Sequence, residues 1–188
     1  MSRKRKSAEE KDPAAAAVAA GWTTVRRHPL FAPLCSWRDP SRRAEGPVPK
    51  DGWAVIDGDG QVLVHPTRRA EPEEWAWVFA HLLLHLGFGH SGAAGDDTDP
   101  AWHVVREVEV TRFLATLKVG RAPFTLPGPL PGGDPAALAD HWRRTGIPTE
   151  FVGLGVAGSA PDLLPGGYRA AKDWEQAFAA GVTAAVTA

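Results

Sequence analysis

The chain contains very little cysteine, and its one residue of this type, Cys35, sets two limits. A single thiol cannot close a disulfide within the chain, and it cannot supply a structural zinc cluster built on cysteines. A chain without internal disulfides suits a reducing compartment. We therefore exclude a disulfide-stabilised secreted domain and expect a cytoplasmic protein.

The chain also lacks an excess of charge of either sign and lacks a long apolar run. Its 21 Lys and Arg residues against 22 Asp and Glu residues leave a formal net charge of −1, so a nucleic-acid partner is not indicated. No apolar stretch reaches the roughly 18–20 residues that a membrane-spanning helix needs. The basic run at 3–6 is followed by acidic residues and alanines, without the apolar core of an export signal. We expect a soluble protein that contacts no membrane.

A length of 188 residues favours one domain. The first dozen residues carry mixed charge and little hydrophobicity, which is typical of disorder. We predict a flexible basic and alanine-rich arm at 1–20 and a single domain at 21–188. Within it, a core at 28–120 precedes an irregular, loop-rich and helical part at 121–188.

The order of apolar and turn residues predicts an α+β fold. Alternating stretches at 53–56 and 61–64 flank an Asp-Gly-Asp-Gly turn, which is the pattern of a β-hairpin. Proline and acidic residues then open a strongly apolar helix that begins near Pro72. We expect the small sheet to pack on this buried helix together with two or three further helices. These are predicted at 100–118, where many β-branched residues leave a strand as the alternative, at 135–144 and at 170–186.

Three histidines in the apolar helix and its exit are the main indication of function. His81 and His85 are four residues apart, so they lie one turn apart on one face of a helix. Because an unpaired polar group in an apolar interior costs roughly 2–7 kcal/mol, both rings need partners. Gly87 and Gly89 allow a sharp turn that can bring His90 back towards them. We predict a metal site with these three ligands, zinc being the ion most typical of imidazoles, whereas histidines satisfied by hydrogen bonds are the alternative.

The spacing of the first two histidines is that of the zinc-protease helix His-Glu-x-x-His, but Leu82 occupies the glutamate position. Loss of that general base removes a contribution of roughly 10²–10⁴-fold to the rate. On the next helix, Glu107 could act as a fourth ligand, as a base or as a carboxylate that orients an imidazole. His103, one turn earlier, could take the same roles. For Glu107 the alternative is a solvated charge paired with a neighbouring arginine.

The stretch 28–118 resembles the metallopeptidase-like domain of uncharacterised bacterial proteins that often precedes a von Willebrand A-type domain. The matching pieces are the hairpin with His65-Pro66 at its end, the three histidines, and the helix that runs from Trp102 to Thr111. The resemblance implies a zincin-like fold, bound zinc, and association with an AAA-type ATPase or a von Willebrand A-type protein. Leu82 departs from the family pattern, and no von Willebrand domain follows in the sequence.

The run 85–90 is also similar to the histidine pattern of the bacterial endoribonuclease of ribosomal RNA maturation, although the third histidine falls one residue later there. Three functions therefore stay open. The first is a catalytically impaired, metallopeptidase-like zinc protein, a pseudoenzyme with a structural or regulatory role. The second is an active zinc-dependent hydrolase that acts on peptide or RNA, and the third is a metal-free interaction module.

Overall fold

A computed structural model describes residues 12–35, 38–42, 46–92 and 99–188. In these ranges the chain forms a mixed α+β fold of helices and one small sheet, which confirms the predicted α+β class. The helices are α1 Pro13–Arg27, α2 Pro72–Gly87, α3 Pro100–Thr116, α4 Pro135–Thr145 and α5 Ala171–Thr187, and the strands are β1 Ser41–Arg42, β2 Ala54–Ile56 and β3 Val62–Val64. The strands follow the order β1-β3-β2, with β1 parallel and β2 antiparallel to β3.

The predicted hairpin is confirmed as β2 and β3. Ala54 pairs with Val64 and Ile56 with Val62, so three residues of each strand are in register. The turn is held by Asp57, whose Oδ1 accepts a hydrogen bond of 2.8 Å from the amide of Gln61. Strand β1 lies in a stretch at 38–51 whose prolines and charged residues predict a surface loop, so the sequence did not predict this strand.

Helix α2 lies at the centre of the molecule. All its residues from Trp75 to Gly87 are buried, as a helix that is apolar on every face should be. Its start carries a capping box, in which Glu71 and Glu74 each accept a hydrogen bond from the backbone of the other. The central position of α2 places both of its histidines in the interior.

Part of the stretch predicted as a flexible arm at 1–20 belongs to a helix that packs on the core. Helix α1 begins at Pro13, capped by Asp12, whose Oδ1 accepts a hydrogen bond of 3.0 Å from the amide of Ala14. Val18 and Trp22 of this helix are buried, and the Trp22 ring contacts the ring of Phe79 on α2 at 5.4 Å, edge to face. The alanine-rich stretch thus gains its order from packing on α2. Residues 1–11, with the basic run, lie outside the described residues.

Helix α3 resolves the helix-or-strand alternative in favour of a helix. Asp99 caps it by accepting a hydrogen bond of 2.9 Å from the amide of Ala101, as the Asp-Pro pair predicts. After α4, the chain returns to the sheet, where the amide of Ile56 donates to the carbonyl of Asp162 at 2.9 Å. The amide of Leu164 in turn donates to the carbonyl of Ile56 at 2.8 Å, which extends the sheet beside β2.

No helix in the described part of the chain has both the length and the apolar character required to cross a membrane.

Candidate metal centre

Helix α2 brings His81 and His85 together. Their side chains point to one face from successive turns, and their Nε2 atoms are 3.3 Å apart. His81 is 0% exposed and His85 is 3% exposed, so both rings are buried. The ring of Trp77 lies against that of His81, with centroids 5.1 Å apart. Packing therefore fixes the two nitrogens side by side in the interior of the molecule.

Helix α3 supplies a carboxylate to both rings. Oε2 of Glu107 lies 2.9 Å from Nε2 of His81, and its Oε1 lies 3.4 Å from Nε2 of His85. The Glu107 side chain is 17% exposed, which makes it the most open of the four groups at this site. Glu107 is therefore not a solvated surface charge, because its carboxylate contacts the rings of His81 and His85.

A second carboxylate, that of Asp162, comes from the segment beside β2. Its Oδ2 lies 3.0 Å from Nε2 of His81 and 3.9 Å from Nε2 of His85. The amides of Val156 and Ala157 donate to its two oxygens at 3.0 and 2.7 Å, so the carboxylate is held in one orientation. Sequence reasoning missed this residue because it lies in an irregular stretch with no periodicity and no ligand spacing. An acidic residue among Pro161, Leu163 and Leu164 was the one available signal.

The ligand-type atoms of His81, His85, Glu107 and Asp162 all lie within 4.8 Å of one another. Zinc binds imidazole nitrogen and carboxylate oxygen at about 2.0–2.2 Å, which corresponds to about 3.3–3.6 Å between ligand atoms at tetrahedral positions. The distances of 3.3 and 3.4 Å agree with this range, those of 2.9 and 3.0 Å are shorter and have the length of hydrogen bonds, and that of 3.9 Å is longer. The group could therefore hold one metal ion with small adjustments of the side chains.

In the metal-free site, the positive charge beside the carboxylates comes from a proton on His81. Burial by itself lowers the pKa of His81, but hydrogen bonds to Asp162 and Glu107 outweigh it and raise that pKa to about 9. Burial acts to raise the pKa of Glu107, whereas the charge of His85 and the hydrogen bond from His81 hold it below its usual value. Without an ion, a protonated His81 thus offsets one of the two negative charges of the carboxylates.

His90, predicted as the third ligand, lies outside this group of four. Its Nδ1 is 3.1 Å from Nδ1 of His85, on the ring edge opposite to the carboxylates. Its Nε2 is 3.6 Å from Oε2 of Glu109. Burial lowers the pKa of His90 to about 4, so the ring is neutral at pH 7 and can share a hydrogen bond with His85. Gly89, with φ of +74°, makes the predicted sharp turn. After this turn, however, the His90 ring lies at Nδ1 of His85, on the side away from the carboxylates.

A cavity of about 720 Å³ opens beside the cluster. His85, Glu107 and Asp162 form part of its wall, and so do His90 and His103. His103 therefore faces the same space as the cluster, although it is not among the four groups within ligand distance of one another. Three of the four groups can be reached from this cavity.

Leu82 lies in the apolar core and not on the wall of this cavity. It is 0% exposed. The position that carries a glutamate in the zinc-protease helix is therefore filled by a core residue in this chain.

No model of a protein family, no curated protein and no solved structure matches this chain. The resemblance to metallopeptidase-like domains is supported by the histidine and carboxylate cluster alone.

Proposed function

We propose that this protein binds one divalent metal ion, zinc, through His81, His85, Glu107 and Asp162. The observation that carries the proposal is the convergence of two imidazole nitrogens and two carboxylates, all within 4.8 Å, in a largely buried site. Two buried carboxylates beside each other are costly without a cation, and a divalent ion offsets both charges.

The chemistry of the donor set favours zinc over the harder ions. Calcium and magnesium prefer six or more oxygen ligands, and half of this set is imidazole. Iron, nickel and copper also accept imidazole with carboxylate, so the argument for zinc is its preference for four-coordinate sites built from such ligands.

The role we propose for the ion is structural or regulatory, in a metallopeptidase-like domain whose catalysis is impaired. Four protein ligands complete a tetrahedral zinc site, whereas catalytic zinc sites keep one position for water. Among the described residues of the cavity wall, Glu107 and Asp162 are the acidic ones. If both hold the ion, neither carboxylate is left to act as the base that Leu82 fails to provide. An ATPase or von Willebrand A-type partner belongs to this proposal through the resemblance only.

A working hydrolase is the second candidate, and the cavity beside the cluster favours it. If one carboxylate alone joins the two histidines, three protein ligands leave a position open, as in catalytic zinc sites. The other carboxylate would then lie within reach of a bound water as a general base. The substrate would enter from the cavity that Glu107 and Asp162 line.

The first experiment measures metal. We expect the purified chain to contain about one equivalent of zinc by elemental analysis, and the metal-free protein to take it up again on titration. His81→Ala and His85→Ala should abolish uptake, whereas His141→Ala, an exposed position on α4, should leave it unchanged. Absence of bound metal together with failure to take up zinc, nickel, copper or iron would leave the metal-free interaction module.

The second experiment separates the two metal-based candidates. The zinc-loaded protein is incubated with casein and with RNA, with and without a chelator. The structural proposal expects no chelator-sensitive turnover, and it expects Glu107→Gln and Asp162→Asn to weaken zinc binding alike. Turnover that is lost in one carboxylate variant while its zinc content stays normal would identify that residue as the base and establish the hydrolase.

A further inference from the structure

The cavity beside the cluster has a size that a purely structural metal site does not require. Its volume of about 720 Å³ falls in the range of pockets that hold small organic molecules, which is about 300–1,000 Å³. Part of its wall is apolar, and this part consists of Val104, Phe151, Leu154, Pro161, Leu163 and Leu164. Because His85, Glu107 and Asp162 lie on the same wall, a ligand with an apolar body could reach the ion from this cavity.

The two carboxylates of the cluster are held with different firmness. The Asp162 side chain is 2% exposed, and its two oxygens accept hydrogen bonds from the amides of Val156 and Ala157 at 3.0 and 2.7 Å. The Glu107 side chain is 17% exposed, and no backbone amide in the described part of the chain donates to it. Loss of Glu107 from an ion would therefore cost less than loss of Asp162, and Glu107 is the exchangeable ligand.

The charges at the site select the kind of donor that could replace Glu107. With a divalent ion bound, the two positive charges cancel those of the two carboxylates, and an anionic donor would add an uncompensated negative charge to a largely buried site. Arg106 on the same wall already takes part in another interaction, so it does not supply a charge for an anion. Among the donors that zinc accepts in proteins, which are thiolate, carboxylate and imidazole nitrogen, imidazole nitrogen is the neutral one.

We propose that this cavity binds a small molecule that carries an imidazole-type nitrogen on an apolar body, and that this nitrogen takes the place of Glu107 at the ion. The bond from the Glu107 oxygen to the ion breaks and a bond from the ring nitrogen forms, without transfer of a proton or an electron. The inference rests on the proposed metal site. It gives the regulatory role a content, because the exchange detaches α3, which carries Glu107, from the ion.

The test uses N-benzylimidazole as the probe and two matched controls. N-benzylpyrrole has the same shape without the donor nitrogen, and N-methylimidazole has the donor nitrogen without the apolar body. Each compound is titrated into the full chain loaded with cobalt(II), whose visible absorption reports the ligands of the ion, at a pH at which the imidazoles are neutral. Metal content is measured before and after each titration.

We expect N-benzylimidazole to change the cobalt spectrum and to leave the metal content unchanged. It should bind at least about tenfold more tightly than N-methylimidazole, because its phenyl ring is buried against the apolar wall. N-benzylpyrrole should leave the spectrum unchanged. Calorimetry should show binding to the zinc-loaded protein that is at least about tenfold tighter than binding to the metal-free protein.

Two substitutions that remove the same charge identify the ligand that is exchanged. At metal concentrations that saturate both variants, Glu107→Gln should bind N-benzylimidazole about tenfold or more tightly than the unaltered chain, because the competing carboxylate is gone. Asp162→Asn is the matched control and should give no such gain, since Glu107 still competes in it. An equal gain in the two variants would overturn the assignment of the exchange to Glu107.

A cobalt spectrum that N-benzylimidazole leaves unchanged would overturn this inference and leave the metal site standing. Tighter binding of phenylacetate, an anionic donor on a similar apolar body, would also overturn it, as would loss of the ion during the titration. Protein that takes up no metal would overturn the proposed function itself. The comparison of the probes on the unaltered chain decides the question even if Glu107→Gln fails to fold.

Discussion

The ring of His85 is contacted at both of its nitrogens, and the two contacts imply different roles for its neighbours. Nε2 faces Glu107 and Asp162, whereas Nδ1 faces Nδ1 of His90 at 3.1 Å. A hydrogen bond at the second nitrogen of a ligating histidine fixes its tautomer and orientation. If His85 binds the proposed ion, His90 would act on it through His85, and Glu109, 3.6 Å from His90, would hold His90 in turn.

This arrangement predicts a graded loss of zinc affinity. His90→Ala should weaken zinc binding about 10–100-fold, as loss of a group that orients a ligand does. His85→Ala should abolish binding, and the exposed His141→Ala should have no effect. Competition with a chromophoric chelator measures all three. If His90→Ala removes binding as completely as His85→Ala, the three-histidine site predicted from the sequence is the correct one.

Restoring the glutamate of the zinc-protease helix should damage this protein. Leu82 is 0% exposed within the apolar core, so Leu82→Glu buries a carboxylate that has no partner there. An uncompensated buried charge costs about 3–5 kcal/mol, and we expect a loss of that size in the free energy of unfolding. The control, Leu82→Met, should cost less than about 1.5 kcal/mol.

Urea unfolding of the two Leu82 variants measures the loss in free energy of unfolding, and a peptidase assay measures whether Leu82→Glu gains activity. A stable Leu82→Glu protein with new chelator-sensitive peptidase activity would show that the glutamate position does reach the cluster.

At the level of single residues, local spacing determined how much the sequence could predict. His81 and His85 share a helix, and the interval of four residues is enough to place them side by side. Glu107 was foreseen as a candidate, but not its simultaneous contact with both rings. Asp162 reaches the site through backbone pairing with Ile56, and such long-range pairing leaves no mark on the sequence around it.

Among the structural elements, the segment that carries Asp162 is the one on which the site most depends. The backbone of this segment lies very close to the cluster at Gly155. A Cβ added to Gly155 would lie 2.8 Å from Oδ1 of Asp162 and 3.4 Å from Cδ of Glu107. The close approach of the backbone to two ligands requires a residue without a side chain at this point.

Gly155→Ala should therefore lower zinc affinity without removing any ligand. Displacing the carboxylates costs about 1–3 kcal/mol as overpacking does, and we expect a loss of about tenfold or more in affinity. Gly128→Ala is the matched control, because nothing lies within 4 Å of a Cβ at Gly128. Zinc titration of both variants is the measurement. Unchanged affinity in Gly155→Ala would mean that Asp162 is not needed as a ligand.

Elements with strong local signals were predicted correctly, and those that depend on tertiary contacts were not. The hairpin follows from alternation and turn residues, and α2 follows from its apolar run with Pro72 at its start. Helix α3 was ambiguous because its β-branched residues favour a strand locally, while its Asp99 cap and its packing favour a helix. Strand β1 has two residues and exists only because it pairs with β3.

In the whole molecule, the site joins three distant parts of the chain, since α2, α3 and the segment with Asp162 each supply at least one of the four candidate ligands. The unfolded chain does not hold these groups together, so metal binding stabilises the folded state. Zinc at 100 times its dissociation constant should add about 2.7 kcal/mol to the free energy of unfolding.

The pH dependence of this stabilisation provides the last test. The pKa of His81 is raised to about 9 in the metal-free folded protein, against an ordinary value of 6.5. The folded state therefore holds a proton that the unfolded state releases, and the stability it provides is fully present below pH 6.5 and is lost as the pH rises towards 9. Below pH 6.5, His90 has the opposite effect, because its pKa is lowered to about 4 and the unfolded state takes up its proton first.

Zinc displaces the proton from His81, so zinc binding should strengthen as the pH rises. We expect the metal-free protein to lose thermal stability from pH 6.5 to 8.5, while the gap between the zinc-loaded and metal-free unfolding midpoints widens. Thermal unfolding at a series of pH values, with zinc and with a chelator, measures both trends. His81→Gln should abolish the alkaline loss in the metal-free protein. A gap that stays constant over this range would show that the ion does not bind at Nε2 of His81.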